Sequence, residues 1–402
     1  MLKYRGVLLF SCVLLLSKMI TVLVGYGLVF FLSDEEYGYY ALAQSVYVTL
    51  ILFLGFGASS AVIRYYAEYG LFPIVKGLLP LYLVSLCLSV FLGFFFYVFN
   101  RSSVYAIFSL LPIAAFLGSW IVNFGAAARC ENSFARYVAA ELARPIFLLL
   151  FFLLFLFYKK ETFLGFYIAS LVFAGFFVFL YPGFAFFKKE ESDLSRMIPS
   201  RSLYLYLVPL FIAHLASLVN NVSDKYAIAG FLSVADLGLY SKAYFFGSSF
   251  GMVLESLVLL WFPFVMKNKH VFFDLYWAKL NVLLWFFCFL SLMSLAGAGL
   301  AWNAEFSAFG FDYGFWTVFM ILLGAFFIRS WYQFLVPVLS AYDATKSVAV
   351  ISVTGSLVGL LLVFALIPTV GIYGGAVATF ASFFIYSVCC YFCVKKIRLK
   401  LS

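Results

Sequence analysis

Charge is what this 402-residue sequence has least of: 11% of its residues are Asp, Glu, Lys or Arg, against 66% hydrophobic and 22% aromatic. So much apolar surface exceeds what one soluble core can bury, which excludes a soluble globular protein. No Walker A loop, HExxH or glycine-rich nucleotide fingerprint occurs, so no ATP is consumed and no cofactor or metal is expected. The seven cysteines (Cys12, Cys87, Cys130, Cys288, Cys389, Cys390 and Cys393) lie in apolar stretches or at their ends and form no disulfide framework. Cys390-Tyr391-Phe392-Cys393 has the spacing of a redox or metal pair but no His or carboxylate beside it, and reads as apolar packing.

What the sequence has in abundance is long apolar runs. Twelve occur, near residues 7–32, 39–63, 74–99, 103–128, 142–158, 162–187, 203–223, 240–266, 279–301, 314–339, 347–367 and 373–394. About 20 residues at 1.5 Å rise cross a hydrocarbon layer of roughly 30 Å, so each run is expected to span a bilayer. Lipid leaves no backbone group unpaired, and runs of this length are helices rather than barrel strands. The first run is twice the length of a signal-peptide core and lacks a small-residue cleavage site, so it is expected to persist as a helix.

Lys and Arg in the connections set the orientation. With the N-terminus in the cytoplasm, nineteen of the 26 fall on the inner side and four on the outer side (Arg101, Lys159, Lys160, Lys225), with Lys18, Lys242 and Arg329 within or at the edge of spans. Both termini are therefore expected to be cytoplasmic. The net charge of +9 reads as topology plus attraction to anionic membrane lipids, and nothing points to nucleic acid.

FLSDEEYGYYALA (Phe31 to Ala43) returns as FLSVADLGLYSKA (Phe231 to Ala243), with six of thirteen positions identical at an offset of 200. A second echo, LGFYIAS (Leu164 to Ser170) and VGIYGGA (Val370 to Ala376), lies at an offset of 206. Both keep Gly-x-Tyr, where the Gly is expected to make a bend and the Tyr to sit at the interface. An even number of crossings separates the copies, so the halves are related by an axis along the membrane normal. The expected architecture is all-α and polytopic, with six-helix lobes at residues 1–187 and 203–402 joined by a charged cytoplasmic linker, 188–202.

Ser17-Lys18, EEYGYYALAQS and GFGASSAVIRYY in the first half, and NNVSDKYAIAGFLSVADLGLYSKAY and GIYGGAVAT in the second, resemble the polysaccharide-repeat and O-antigen flippases of the multidrug/oligosaccharidyl-lipid/polysaccharide exporter superfamily. The resemblance spans the chain. It implies twelve helices in two lobes around a central cavity in the bacterial inner membrane. It also implies transport of an undecaprenyl-pyrophosphate-linked glycan, by alternating access, from the cytoplasmic to the periplasmic leaflet, beside membrane lipids and polysaccharide polymerase machinery.

Charged residues within spans are the candidate site. Lys18, Glu255 and Arg329 lie near the middles of the first, eighth and tenth runs, where a charge costs roughly 2.5–3.5 kcal/mol on insertion scales and so faces protein or water. Two cations against one carboxylate suit a pyrophosphate; the alternative is that Glu255 pairs with one of them to pin helices together. His214 lines the cavity and titrates, or donates a structural hydrogen bond. Asn220, Asn221, Asp224 and Lys225 form an outer gate, or cap a helix and mark topology. Arg64 collects an anionic substrate or anchors a cytoplasmic end, and Asp34, Glu35 and Glu36 are expected to cap the second helix.

Gly355 with Gly359 and Gly371 with Gly375 have the spacing of close helix contacts. Pro145, Pro182, Pro209 and Pro337 interrupt helical hydrogen bonding inside or beside spans. Two other classes compete. A glycan polymerase or ligase would carry a long outer catalytic loop, and no outer connection here exceeds about twenty residues. A multidrug antiporter would place carboxylates in its first lobe, and the apolar runs one to six carry no acid at mid-depth. A transporter rather than an enzyme is expected, with coupling to an ion or to the membrane potential left open.

Overall fold

The computed structural model describes residues 2–69, 71–99, 107–131, 133–158, 163–180, 200–267, 271–342 and 344–401. Residues 181–199, with Pro182 and most of the expected linker, lie outside them. Among the described residues the chain is all-α: α1 Leu2–Phe31, α2 Asp34–Gly55, α3 Ala58–Tyr69, α4 Leu71–Phe99, α5 Leu111–Cys130, α6 Phe134–Tyr158, α7 Phe163–Leu180, α8 Ser200–Phe231, α9 Val234–Lys267, α10 Phe272–Leu275, α11 Trp277–Asn303, α12 Tyr313–Ala341, α13 Thr345–Val370 and α14 Ile372–Leu401. Ten of these are long and apolar enough to cross a membrane, and α8 and α9, of 32 and 34 residues, have the length to do so.

The twelve apolar runs map onto these helices in order, with departures at several ends, two of them informative for the fold. The run expected near 39–63 is two helices, because Phe56 and Gly57 both have positive φ, 47° and 71°. The break leaves carbonyls without helical donors, and the Ser85 hydroxyl takes that of Leu54 at 2.8 Å. Phe56 is held in this strained backbone by stacking on Phe211, with ring centroids 4.4 Å apart. The helix of the fifth run, α6, begins at Phe134, eight residues before that run, because Arg136 and Glu141 lower the hydropathy of its first turns while Ala139 and Ala140 are good helix formers.

The chain divides into two compact units, one of residues 1–28 and 42–215 and the other of residues 29–41 and 216–402. In the first, α3, α4, α6 and α7 pack on α5; in the second, α9, α11 and α14 pack on α12. These two central helices are the fourth crossing of each half. Phe157, Val282, Leu300 and Leu361 are among the large apolar side chains left exposed, as a lipid solvent allows.

Candidate functional site

Within the first unit, α1 and α6 are joined by a missing hydrogen bond. Pro145 has no N–H to give the Glu141 carbonyl one turn before it, and Ser17 of α1 donates its hydroxyl to that oxygen instead, at 3.0 Å. Ser17 is buried, so the contact fixes its neighbour Lys18 at the level of Glu141. The Glu141 carboxylate accepts a hydrogen bond from Tyr137 and lies in the field of Arg129 and Lys18. Arg144, one turn further along α6, stacks over the buried Tyr47 ring at 5.0 Å. Lys18 is the tenth residue of the span Leu9–Phe31, while Glu141 is the eighth of Phe134–Tyr158 and lies in the field of Arg129, one residue from the end of Leu111–Cys130.

Within the second unit, Arg329 sits in the middle of α12 with its guanidinium 5.8 Å from the Phe326 ring centroid and 5.2 Å from that of Phe383. Tyr332 and Tyr386 complete an aromatic surround and lie in its field. Glu255 belongs to α9, but its side chain lies outside the described residues.

The Asn220 to Lys225 cluster is not a helix cap, because α8 continues to Phe231. Asp224 is fully enclosed. It accepts from the Tyr240 hydroxyl at 2.5 Å, the Lys225 backbone N–H at 2.8 Å and the Thr379 hydroxyl at 3.5 Å. The Lys225 ammonium lies 4.5 Å from the Tyr244 ring centroid. Asn220 accepts from Ser382 at 2.5 Å, close to Gly359, and Asn221 is half-buried beside it. Ser356 reaches the Ala216 carbonyl and the Tyr386 hydroxyl, both at 2.6 Å, so α8, α13 and α14 share one line of polar contacts, packed closely at Gly355 and Gly359. His214 is exposed beside the helix break at Gly57, and Arg64 is exposed with its guanidinium 5.9 Å from the Tyr206 ring.

The repeated turns have a role that their Gly-x-Tyr motif does not announce. Both copies close with the same cap: Ser33 with Glu36, and Ser233 with Asp236, exchange reciprocal hydrogen bonds. Glu36 caps α2 as expected. Gly38 and Gly238 make no bend, since both lie inside helices; the bend expected of glycine occurs at Gly371, whose φ is 69°. Instead each presses on the other copy of the turn. A Cβ on Gly38 would overlap the Val234 carbonyl and lie 2.8 Å from Val234 Cγ1, while one on Gly238 would overlap the Asp34 carbonyl and lie 2.6 Å from its carbon. Positions 34 and 38 thus meet 238 and 234, the reciprocal pattern of a two-fold contact.

One residue breaks that symmetry. Lys242, where the first copy has Leu42, is buried with its ammonium 2.8 Å from the Leu32 carbonyl and 2.8 Å from the Asp34 carboxylate. The Asp34 side chain is 47% exposed and that of Lys242 6%, so the two are not interchangeable. Asp34→Asn strands a buried ammonium, whereas Lys242→Met leaves a carboxylate that water can reach. Asp34→Asn is expected to lower the thermal midpoint of the solubilised protein more than Lys242→Met does; the reverse order would show that the ammonium is not held by this pair.

An apolar groove of about 420 Å³ between α11, α12 and α14, lined by Leu295, Trp302, Thr317 and Phe380, has no charged residue in its wall. All seven cysteines are free thiols, and no cluster able to hold a metal occurs among the described residues.

Known proteins share this fold. The family of polysaccharide biosynthesis proteins matches residues 4–269. No curated protein sequence matches the chain. Among solved structures, the lipid II flippase MurJ in an inward closed conformation superposes with a TM-score of 0.70 at 17% identity, over 96% of this chain and 87% of that one. An inward-facing MATE multidrug resistance transporter of the MOP superfamily gives 0.65 at 13% identity over 97% and 98%. The Vibrio cholerae MATE transporter VcmN gives 0.58 at 16% over 98% of both. At these identities the likeness is one of fold, a MurJ- and MATE-like all-α transporter fold. The sequence match covers well over half of the residues, and the chain belongs to the polysaccharide biosynthesis protein family.

Proposed function

We propose that this protein is a flippase that carries an undecaprenyl-pyrophosphate-linked oligosaccharide from the cytoplasmic to the periplasmic leaflet of the inner membrane by alternating access. The observation that carries the reading is the placing of cations inside spans of a polysaccharide biosynthesis protein: Lys18 with Arg129 and Arg144 in one unit, and Arg329 in the other. A diphosphate in a low-dielectric passage needs such groups, and they are costly to keep in lipid otherwise. Substrate head group and Lys18 or Arg329 meet in this reading while the polyprenyl tail stays in lipid, and the paired turns form the outer gate. The lobes are residues 1–187 and 203–402, with both termini and the 188–202 linker cytoplasmic.

Deleting the gene is expected to make lipid-linked repeat units accumulate on the cytoplasmic leaflet while surface glycan disappears. Unchanged surface glycan would overturn the reading. Orientation has its own test, since Ser33 and Ser233 are exposed at the two turns. After native thiols are removed, Ser33→Cys and Ser233→Cys are both expected to react with an impermeant maleimide from outside intact cells. Reaction of only one would break the parallel repeat. A multidrug antiporter is the second reading, favoured by Glu141, the first-half acid that such a transporter requires; efflux of a cationic dye from cells expressing the chain, with no effect on glycan, would select it.

A further inference from the structure

We propose that the apolar groove between α11, α12 and α14 binds a phospholipid with an ammonium head group, one acyl chain lying in the groove and the ammonium on its aromatic rim. The site lies apart from the cations of the flippase reading and does not depend on it. The groove, of about 420 Å³, runs between Gly299 of α11, Thr317 and Ile321 of α12, and Val377 and Phe380 of α14. Gly299 opens it, since a Cβ there would meet nothing within 4 Å. Thr317 is only 6% exposed, and its hydroxyl has no hydrogen-bond partner among the described residues. A buried hydroxyl left unpaired is costly, and the ester carbonyl at the head of an acyl chain supplies the acceptor it lacks. Thr317 is the fifth residue of α12. At 1.5 Å per residue it stands about 6 Å from the helix start, the level of an ester just below the head groups.

The rim decides the head group. Trp302, at the end of α11, has Tyr313 and Tyr373 set across it with ring centroids 5.8 and 5.2 Å away and interplanar angles of 82° and 83°. Aromatic side chains are common at membrane interfaces, but three packed edge to face at the mouth of an apolar groove form a cage of the kind that takes an ammonium. The charges beside this cage are negative. Asp312 caps α12 by accepting from the Phe315 N–H at 2.9 Å. A Cβ on Gly314 would stand 3.3 Å from the Asp312 carboxylate and 3.1 Å from the Tyr373 hydroxyl, so carboxylate and cage adjoin. Glu305, three residues after Trp302, is exposed, and the sequence between Lys279 and Arg329 has no Lys or Arg. Such a rim attracts an ammonium and repels an anionic head, so a polyprenyl diphosphate fits this groove less well than an ethanolamine phospholipid does.

The test uses the purified full-length protein, delipidated in a neutral detergent and titrated by native mass spectrometry with dioleoyl phosphatidylethanolamine, dioleoyl phosphatidylglycerol and farnesyl diphosphate. The wild type is expected to bind phosphatidylethanolamine about tenfold more tightly than phosphatidylglycerol. Gly299→Leu fills the groove without meeting protein and is expected to abolish that preferred binding. Thr317→Val keeps the shape and removes the hydroxyl, and is expected to weaken binding of both phospholipids about fivefold. Asp312→Asn keeps the cap and removes the charge, so the two phospholipids are expected to bind with similar affinity. Equal affinity of the wild type for the two overturns the proposal, as does unchanged binding in Gly299→Leu. Farnesyl diphosphate bound more tightly than either phospholipid and lost in Gly299→Leu also overturns it, giving the groove to the substrate's tail. Should Gly299→Leu fail to fold, Trp302→Ala removes the cage; it is expected to lose the preference for phosphatidylethanolamine, and a preserved preference overturns the proposal.

Discussion

Gly238→Ala is expected to reduce glycan export by more than tenfold while Gly230→Ala, eight residues earlier, leaves it unchanged. Both substitutions add one methyl group. The difference is what that methyl meets: nothing within 4 Å of Gly230, and the Asp34 backbone at Gly238. Backbone cannot rotate away as a side chain can, so the two turns must separate. Overpacking of this kind costs about 1–3 kcal/mol, which shifts a conformational balance by about 5- to 150-fold. Gly38→Ala meets the Val234 carbonyl in the same way and is expected to act alike. The proposed gate is then held ajar, and a Ser33→Cys reporter is expected to label faster in Gly238→Ala than in the parent. Normal export together with an unchanged labelling rate would show that the contact is a by-product of folding and not a gate. Because Lys242 bonds both Leu32 and Asp34 across the same contact, Lys242→Met is expected to give the same faster labelling, though with smaller loss of export.

These glycines show where the sequence was legible and where it was not. Hydropathy placed every one of the long helices, because spanning a bilayer demands a fixed length of apolar chain whatever the tertiary packing. It missed the break at Phe56 and Gly57, whose positive φ values depend on the stacking of Phe56 on a phenylalanine more than 150 residues away. The repeated turn was visible as a repeat, but the meaning of its glycine was not. A glycine needed for positive φ and one needed for close approach look the same in sequence, and only the contact between the two copies tells them apart. Lys18 and Arg329 stood out as charges in apolar runs. Glu141 did not, since Arg136 before it and Arg144 after it kept its window below the hydropathy of a span; the usable signal was the proline four residues on, which frees its carbonyl. Asp224 and Lys225 looked like a helix end because charge clusters usually sit there, and instead the helix runs on with Asp224 enclosed by Tyr240 and Thr379.

Arg329→Gln is expected to abolish export with the folded protein present at its normal level. The guanidinium lies on the faces of Phe326 and Phe383 with Tyr332 and Tyr386 around it, an arrangement that holds a planar cation. Glutamine keeps the length of the stem and removes the charge, and the rings still pack on one another in its place: Tyr332 with Tyr386 at 5.2 Å and Phe326 with Phe383 at 6.0 Å. Arg329→Lys keeps the charge but not the flat fork, so partial export is expected, which a purely steric role would not produce. The competing role is a structural pair with Glu255, and abundance separates the two. If Arg329 chiefly neutralises Glu255, Arg329→Gln leaves a carboxylate uncompensated inside a span and the protein is lost, while adding Glu255→Gln restores its level. If Arg329 receives the diphosphate, the single variant is abundant and inactive and the second substitution does not revive it. Quantifying membrane-inserted protein and surface glycan in the same cells for the single and double variants gives both readouts, and full export by Arg329→Gln would remove Arg329 from the path altogether.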